Sequence, residues 1–148
     1  MENSIEISKT ELLTTTFWSV YRIEKTYLII WKDSGRDMDD QSFKKHITSF
    51  ANLIETDGAT YDVKSFVVDT RAYHFVMNLN IQEWHDQEII PRYLNSGIKK
   101  IAFCLSGDLI RDLSIEQTFD ESQAQSDQLS TLYFQDLRKA LAWAKRVD

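Results

Sequence analysis

The densest group of side chains capable of acid–base chemistry surrounds residue 85. His85 and Asp86 are adjacent, Glu88 follows them, and His74 precedes them. Neighbouring positions on a helix point in different directions, so only His85 and Glu88 have the spacing to meet. Because no Ser or Cys lies in a motif that would activate it as a nucleophile, we expect a solvated helix face and no enzyme.

Metal and cofactor motifs are missing from the sequence. It contains no HExxH pattern and no calcium-loop pattern, and its 4 glycines are isolated, so no phosphate-binding loop is indicated. The single cysteine, Cys104, lies in the apolar run Ile101–Leu105, which predicts a small buried side chain instead of a metal ligand or a disulfide. We expect no metal and no cofactor.

The charge balance bears on the kind of partner. The formal net charge is −6, which argues against nucleic acid, because nucleic-acid affinity comes largely from Lys and Arg that neutralise phosphates. Three short basic pairs, Lys44-Lys45, Lys99-Lys100 and Lys145-Arg146, are expected on solvated faces. No apolar run has the length of a membrane span, and Glu2 and Glu6 do not suit a signal peptide, so we expect a cytoplasmic protein.

The order of elements begins with strands. The chain of 148 residues contains 4 Gly and 1 Pro and no linker, which predicts one domain over 1–148. Ile5 and Ile7 alternate with polar residues, and the segments Phe17–Ile23 and Tyr27–Trp31 are rich in aromatic and β-branched residues. These patterns predict a leading β-meander. Further apolar runs predict later strands at Phe66–Val68, Ile101–Leu105 and Leu132–Phe134.

Helices are expected between the later strands. An apolar stripe predicts the first, with Asp39 and Asp40 at its start and Gly58 at its end; the stripe comprises Phe43, Ile47, Phe50 and Ile54. Asn80, with Glu83 three positions later, predicts the start of a second helix that Pro91 ends or kinks.

Two more helices complete the prediction. The capping-box pattern at Ser114 to Gln117 predicts a helix over roughly Ile115 to Gln125. An apolar face predicts the last helix, with members Leu137, Leu141 and Ala144. Alternation of helix and strand implies an α/β fold whose inner strands are parallel.

This order resembles the STAS domain, and in particular the SpoIIAA-like proteins of bacteria. The resemblance rests on Phe66-Val67-Val68-Asp69-Thr70-Arg71, the Trp84 helix leading to Ile90-Pro91, Gly97-Ile98-Lys99-Lys100-Ile101-Ala102 and the closing Phe134-x-x-Leu137-x-x-Ala140-Leu141-x-Trp143. It implies a STAS-like mixed sheet with a leading meander and about four flanking helices. It also implies a non-enzymatic regulatory or protein-interaction module with a protein partner.

The phosphorylation motif of that family is not present. In anti-sigma factor antagonists the strand-ending Asp is followed by a phosphorylated Ser, whereas Asp69 here is followed by Thr70, Arg71 and Ala72. We expect Thr70 to be a turn residue whose hydroxyl bonds local backbone, with phosphorylation as the alternative.

A binding site is expected where parallel strands end, because open α/β sheets bind ligands beyond the carboxyl ends of their strands. The candidate residues for a ligand or partner surface are Asp69, Thr70, Arg71, Asn80 and Ser106. The alternative to the interaction module is therefore a domain that binds a nucleotide or a lipid-like molecule there. The tryptophans are expected in the core, although Trp18, Trp31, Trp84 and Trp143 could line an apolar pocket. A homodimer through the exposed edge of the meander is a further alternative.

Overall fold

The first three strands form an antiparallel meander in a computed structural model that describes residues 9–33, 38–73, 75–120 and 128–146. Strand β1 (Thr10–Thr14) pairs with β2 (Trp18–Ile23), which pairs with β3 (Thr26–Trp31). The predicted meander is confirmed, although its first strand begins at Thr10. The predicted strand at Ile5 and Ile7 lies outside the described residues.

The other three strands extend the sheet in parallel. Strand β4 (Ser65–Asp69) lies beside β3, β5 (Lys100–Cys104) beside β4, and β6 (Ser130–Phe134) beside β5. Strands β4 and β5 are buried along their whole length, as their continuous apolar runs predict. The result is an α/β fold with a mixed, six-stranded sheet. The STAS-like identity of the fold stays a prediction.

The spatial order of the strands equals their order in the sequence, from β1 to β6. Because right-handed crossovers between successive parallel strands all advance in one direction, they place every intervening helix on the same face of the sheet. The last helix follows the last strand, so it is free to cover the other face. This topology fixes two cores of unequal size.

The larger core lies under the crossover helices. It contains most of the aromatic side chains of the sheet, including Trp18, Trp31, Phe66 and Phe103. The smaller core lies under helix α6 (Leu137–Lys145), whose Ala140 and Ala144 pack on Leu28, Val67 and Ala102.

The first crossover helix forms as its apolar stripe predicts. Helix α1 (Asp40–Leu53) begins after Asp39, whose carboxylate accepts a hydrogen bond from the backbone N–H of Ser42 at 2.8 Å. Beyond α1 the helical course continues through a π turn (Ile54–Gly58) and α2 (Ala59–Tyr61).

Gly58 does not end this helix, so that prediction is wrong. A Cβ atom at Gly58 would lie 3.2 Å from the hydroxyl of Tyr27, so glycine here allows close packing on β3. Tyr27 Oη donates to Asp57 in the same π turn at 2.8 Å, and Arg22 also binds that carboxylate. The helix ends instead at Asp62, which has a left-handed backbone conformation.

The second crossover is also a helix interrupted by a π turn. Helix α3 (Leu79–Trp84) leads through the π turn His85–Ile89 into α4 (Ile90–Asn95). The prediction that Asn80 caps this helix is wrong: Asn78 is the cap, and its side chain accepts from the N–H of Ile81 at 2.9 Å. Pro91 lies in the first turn of α4, where its missing N–H costs least.

The third crossover begins earlier than the capping box predicts. Helix α5 (Leu109–Thr118) is capped by Asp108, which accepts from the N–H of Arg111 at 3.0 Å. Ser114 lies inside this helix, and its hydroxyl donates to the carbonyl of Arg111. A Ser that bonds a preceding carbonyl is compatible with a helix interior, so the capping-box prediction fails. The predicted extension beyond residue 120 lies outside the described residues.

In the described residues, no helix combines the length and the hydrophobicity needed to cross a bilayer.

Candidate functional site

Asp69 and Arg71 bind each other at the end of β4. The guanidinium of Arg71 donates to both carboxylate oxygens of Asp69, at 2.9 and 2.8 Å, and the backbone N–H of Arg71 donates at 3.1 Å. Asp69 is buried, whereas about half of the Arg71 side chain is exposed. Two-point pairing and burial give Asp69 a structural role as an acceptor that holds the chain after β4.

Thr70 faces the opposite side of the sheet from Asp69, because successive strand residues alternate between faces. Its hydroxyl donates to the carbonyl of Cys104 at 2.7 Å, and its side chain is buried. The hydroxyl therefore bonds backbone of the neighbouring strand β5, 34 residues along the chain, and not the local backbone that was expected. A kinase would have to break that bond and expose the strand end before it reached the hydroxyl. Cys104 itself is buried, as predicted, and burial raises the pKa of its thiol.

Ser106 organises the loop after β5. Its hydroxyl donates to Asp112 at 2.8 Å and accepts from the N–H of Asp108 at 3.0 Å. Asp112 also accepts from the N–H of Gly107, so one carboxylate on α5 holds this turn. Asn80, by contrast, lies on the exposed side of α3. The predicted candidates are therefore divided among the two faces of the sheet, a loop and a helix surface.

The group around residue 85 does not form a solvated face, so that prediction is wrong. His85 and Asp86 are buried and Glu88 is exposed. The reason is the π turn at 85–89: its hydrogen bonds span five residues, so the side-chain spacing of a regular α-helix does not hold there. His74 lies outside the described residues.

Burial determines the ionisation of His85. Removal from water lowers the pKa of its imidazole to about 3, so the ring is neutral at physiological pH. A neutral ring can still donate from one nitrogen and accept at the other.

His85 lines an internal cavity between the sheet and the crossover helices. The cavity has a volume of about 50 Å³ and lies beneath the carboxyl ends of β3, β4 and β5, where Trp31, Val68 and Phe103 contribute to its wall. No Lys, Arg, Asp or Glu belongs to its described lining. Trp18 also lines it, whereas Trp84 and Trp143 do not.

Two of the residues that line this cavity each carry a buried polar atom without a hydrogen-bond partner in the described structure. They are Nδ1 of His85 and the hydroxyl of Tyr73, and both side chains are only 3% exposed. A third unpartnered atom, Oγ1 of Thr131, belongs to β6 and not to the cavity lining. A buried polar group without a partner costs about 1–3 kcal/mol, so a bound group that formed a hydrogen bond to either atom would remove that cost.

Aromatic rings hold both groups in place. The His85 ring lies 5.1 Å from Phe119 and 6.0 Å from Tyr93, edge to face in each case. The Tyr73 ring lies 5.0 Å from Trp31. Such contacts fix ring orientation, so neither polar atom turns easily toward water.

Hydrogen bonds to Arg111 and Thr70 position the backbone of Tyr73. The carbonyl of Tyr73 accepts from Arg111 on α5 at 2.7 Å, and its N–H donates to Thr70 at 3.0 Å. Further along, the N–H of Met77 donates to the hydroxyl of Ser114. Helix α5 thus forms two of these hydrogen bonds, one to Tyr73 and one to Met77.

Electrostatics make the cavity suitable for uncharged molecules. Burial raises the pKa of Tyr73 well above its ordinary value and also raises that of Tyr93, so both phenols are neutral. An anion or cation placed here would lose its hydration without a counter-ion. A group that accepts or donates hydrogen bonds while uncharged, such as a hydroxyl or carbonyl, fits the pair of polar atoms.

Sequence reasoning missed the combination of Tyr73 and His85. A polar aromatic residue next to a buried strand end was the available signal for Tyr73, but alternation and helix spacing do not reveal a π turn. In the described residues, no group of three or more His, Cys, Asp or Glu side chains is arranged to hold a metal ion.

Comparison of the chain with protein-family models, curated proteins and solved structures finds no match. The STAS-like resemblance therefore stays a prediction from the residues that carry it.

The buried His85 predicts a specific pH dependence of stability. Its folded pKa of about 3 lies below the ordinary value of about 6.5, so the unfolded chain binds more protons between these values. The free energy of unfolding should therefore fall as the pH decreases from 6.5, by about 1 kcal/mol per pH unit from this group. Urea unfolding of wild type and His85→Leu between pH 6.5 and 4.5 measures the contribution.

The matched control is Phe119→Leu, which changes packing against the same ring without removing a titratable group. It should keep the wild-type slope, whereas His85→Leu should have a shallower one. Equal slopes in all three proteins would contradict the burial of a neutral His85.

Proposed function

We propose that the protein is a non-enzymatic binding module that takes up a small, uncharged and largely apolar molecule in the cavity beneath the ends of β3, β4 and β5. The observation that carries this proposal is the pair of unpartnered polar atoms, Tyr73 Oη and His85 Nδ1, in an otherwise apolar cavity. Aromatic walls with a few placed polar groups are typical of ligand sites.

Of the two ligand classes considered, a nucleotide and a lipid-like molecule, the cavity favours the apolar one. A nucleotide carries phosphates, which would meet no cation among the described lining residues. An apolar body with one hydroxyl or carbonyl would bury its carbon atoms against the rings and satisfy Tyr73 and His85. The proposed ligand class is therefore a small phenol, alcohol or ketone.

The size of the cavity limits the ligand or requires movement. An engineered apolar cavity of about 150 Å³ binds benzene, three times the volume available here. Tyr73 lies outside regular secondary structure and lines the cavity, so its outward movement would enlarge the space. Met77 lines the cavity as well, and its unbranched side chain repacks at low cost.

Thermal unfolding with three probes tests this proposal. Phenol should raise the melting temperature, benzene should raise it less, and benzoate should leave it unchanged because its charge has no partner. In Tyr73→Phe, which removes only the hydroxyl, we expect phenol affinity to fall roughly fivefold to tenfold. Tyr61→Phe, at an exposed position on α2, is the matched control and should respond as wild type does.

The proposal fails if none of the probes stabilises the protein. It also fails if Tyr73→Phe and Tyr61→Phe respond equally to phenol, since the cavity hydroxyl would then take no part in binding.

A second candidate function, a protein-interaction module, has a specific observation of its own. Helix α5 exposes three large apolar side chains in its first two turns: Leu109 is 80% exposed, Ile110 68% and Leu113 48%. Adjacent exposed apolar residues favour an interaction surface over a solvated helix. Under this interpretation α5 binds a partner protein and also holds the wall of the cavity. Dimerisation through β1 stays a separate prediction.

Native mass spectrometry of the protein recovered from its source cells tests the second candidate. We expect a stoichiometric partner with wild type that is lost in Leu109→Ser/Ile110→Ser, because the apolar contact is removed. Leu132→Ser, an exposed leucine on β6, is the control and should keep the partner. A partner that remains bound to the double variant, or no partner at all, would contradict a role for this helix.

A further inference from the structure

The fold brings together basic residues that are far apart in the sequence. They meet in a cleft of about 1060 Å³ at the amino ends of β4, β5 and β6, on the opposite edge of the sheet from the aromatic cavity. Its cations come from the turn between β2 and β3, from the segments before β4 and β5, and from the end of α6: Lys25, Lys64, Lys99, Lys100, Lys145 and Arg146. Two of the basic pairs that were expected on solvated faces therefore line one concave site: Lys99-Lys100 and Lys145-Arg146.

The cleft has an excess of positive charge. Glu24 is the carboxylate of its described lining, and Asp62 lies beside it, within 3.3 Å of Lys25 and 3.2 Å of Lys64. Six cations thus face two carboxylates in a chain whose net charge is −6. Among the described residues in and beside the cleft, cations therefore outnumber carboxylates.

Helix dipoles explain part of this arrangement. Lys100 is buried, and its Nζ donates to the carbonyls of Trp143 and Arg146 at 3.1 and 2.7 Å, which stabilises the carboxyl end of α6. Lys145 belongs to the last turn of α6. The other lysines of the cleft, Lys25, Lys64 and Lys99, are not on helices, so dipole stabilisation does not account for them.

The shape of the cleft also suits a ligand. Leu94, Ile98 and Ala144 contribute apolar parts of its wall. Gly97 has φ of +85°, and a Cβ atom there would lie 2.9 Å from Nζ of Lys64. Glycine at this position therefore allows the Lys64 ammonium group to lie against the chain at residue 97.

We propose that this cleft binds a compact, multivalent oxyanion of the oligophosphate class. Several cations that line one concave space match a ligand with concentrated negative charge. A concave site on an acidic protein favours a compact ligand over a long polyanion, because the remaining surface repels an extended negative chain. The ligand is either a free oligophosphate or the phosphorylated headgroup of a lipid.

Calorimetric titration with tripolyphosphate at low ionic strength tests the proposal. Wild type should bind one equivalent, and the affinity should decrease as salt is added. In Lys64→Gln/Lys99→Gln, which removes two exposed charges of the cleft, the dissociation constant should rise roughly tenfold or more. Lys45→Gln/Lys139→Gln removes the same charge at exposed positions outside the cleft and should bind as wild type does.

Vesicles distinguish the source of the phosphate. Binding of tripolyphosphate without binding to phosphatidic acid vesicles identifies a free oligophosphate, and binding of both identifies a headgroup that the cleft can reach. Failure of wild type to bind tripolyphosphate would overturn the proposal. Equal weakening in the two double variants would overturn it too, because general electrostatic attraction would then explain the binding.

Discussion

Burial of one face of the sheet under all three crossovers is the constraint from which the rest of the structure follows. Successive parallel strands in sequential order require every crossover to lie on the same side. That side must then contain enough bulky residues to fill the space between six strands and several helices. The aromatic side chains of β2 to β5 supply this volume, whereas small residues such as Ala102 and Ala140 suffice under α6.

The same topology affects where a ligand can bind. In doubly wound sheets a crevice opens where neighbouring crossovers lie on opposite faces. The described parallel strands of this sheet have no such reversal. Space remains instead between the sheet and its helices, in a cavity lined largely by aromatic side chains. The cavity with Tyr73 and His85 is of this kind.

Much of the fold could be predicted from the sequence because burial imposes regular spacing. Phe43, Ile47 and Phe50 follow the spacing of α1, and the run of β4 is apolar and buried throughout, so both elements were predictable. Helix starts were harder. Asn78 and Asn80 are both plausible caps two residues apart, and only the hydrogen bond to Ile81 decides between them. Ser114 fits a capping box and yet lies inside a helix.

The candidate site was less predictable than the fold. Asp69, Thr70 and Ser106 do lie at strand ends, but hydrogen bonds within the chain occupy the polar groups of all three. His85 was expected in solvent because a regular helix was assumed, and the π turn changes that spacing. The basic cleft could not be predicted from the sequence either, because lysines such as Lys64 and Lys99 come together only when β4 and β5 pair.

The two proposed sites lie at opposite ends of the parallel strands and differ in polarity. The cavity is neutral and apolar, with ring nitrogens and phenols that burial keeps uncharged. The cleft is open and positively charged. Because β4 and β5 run from the cleft to the cavity, the inner strands connect the two sites directly.

The binding of an organic molecule by Tyr73 and His85 can be decided with a high-resolution crystal structure of the protein purified directly from its source cells. We expect electron density for a small molecule in the cavity, with a polar atom within hydrogen-bond distance of Tyr73 Oη or His85 Nδ1. A single ordered water bridging the two groups, or an empty cavity in which they bond to each other, would contradict it.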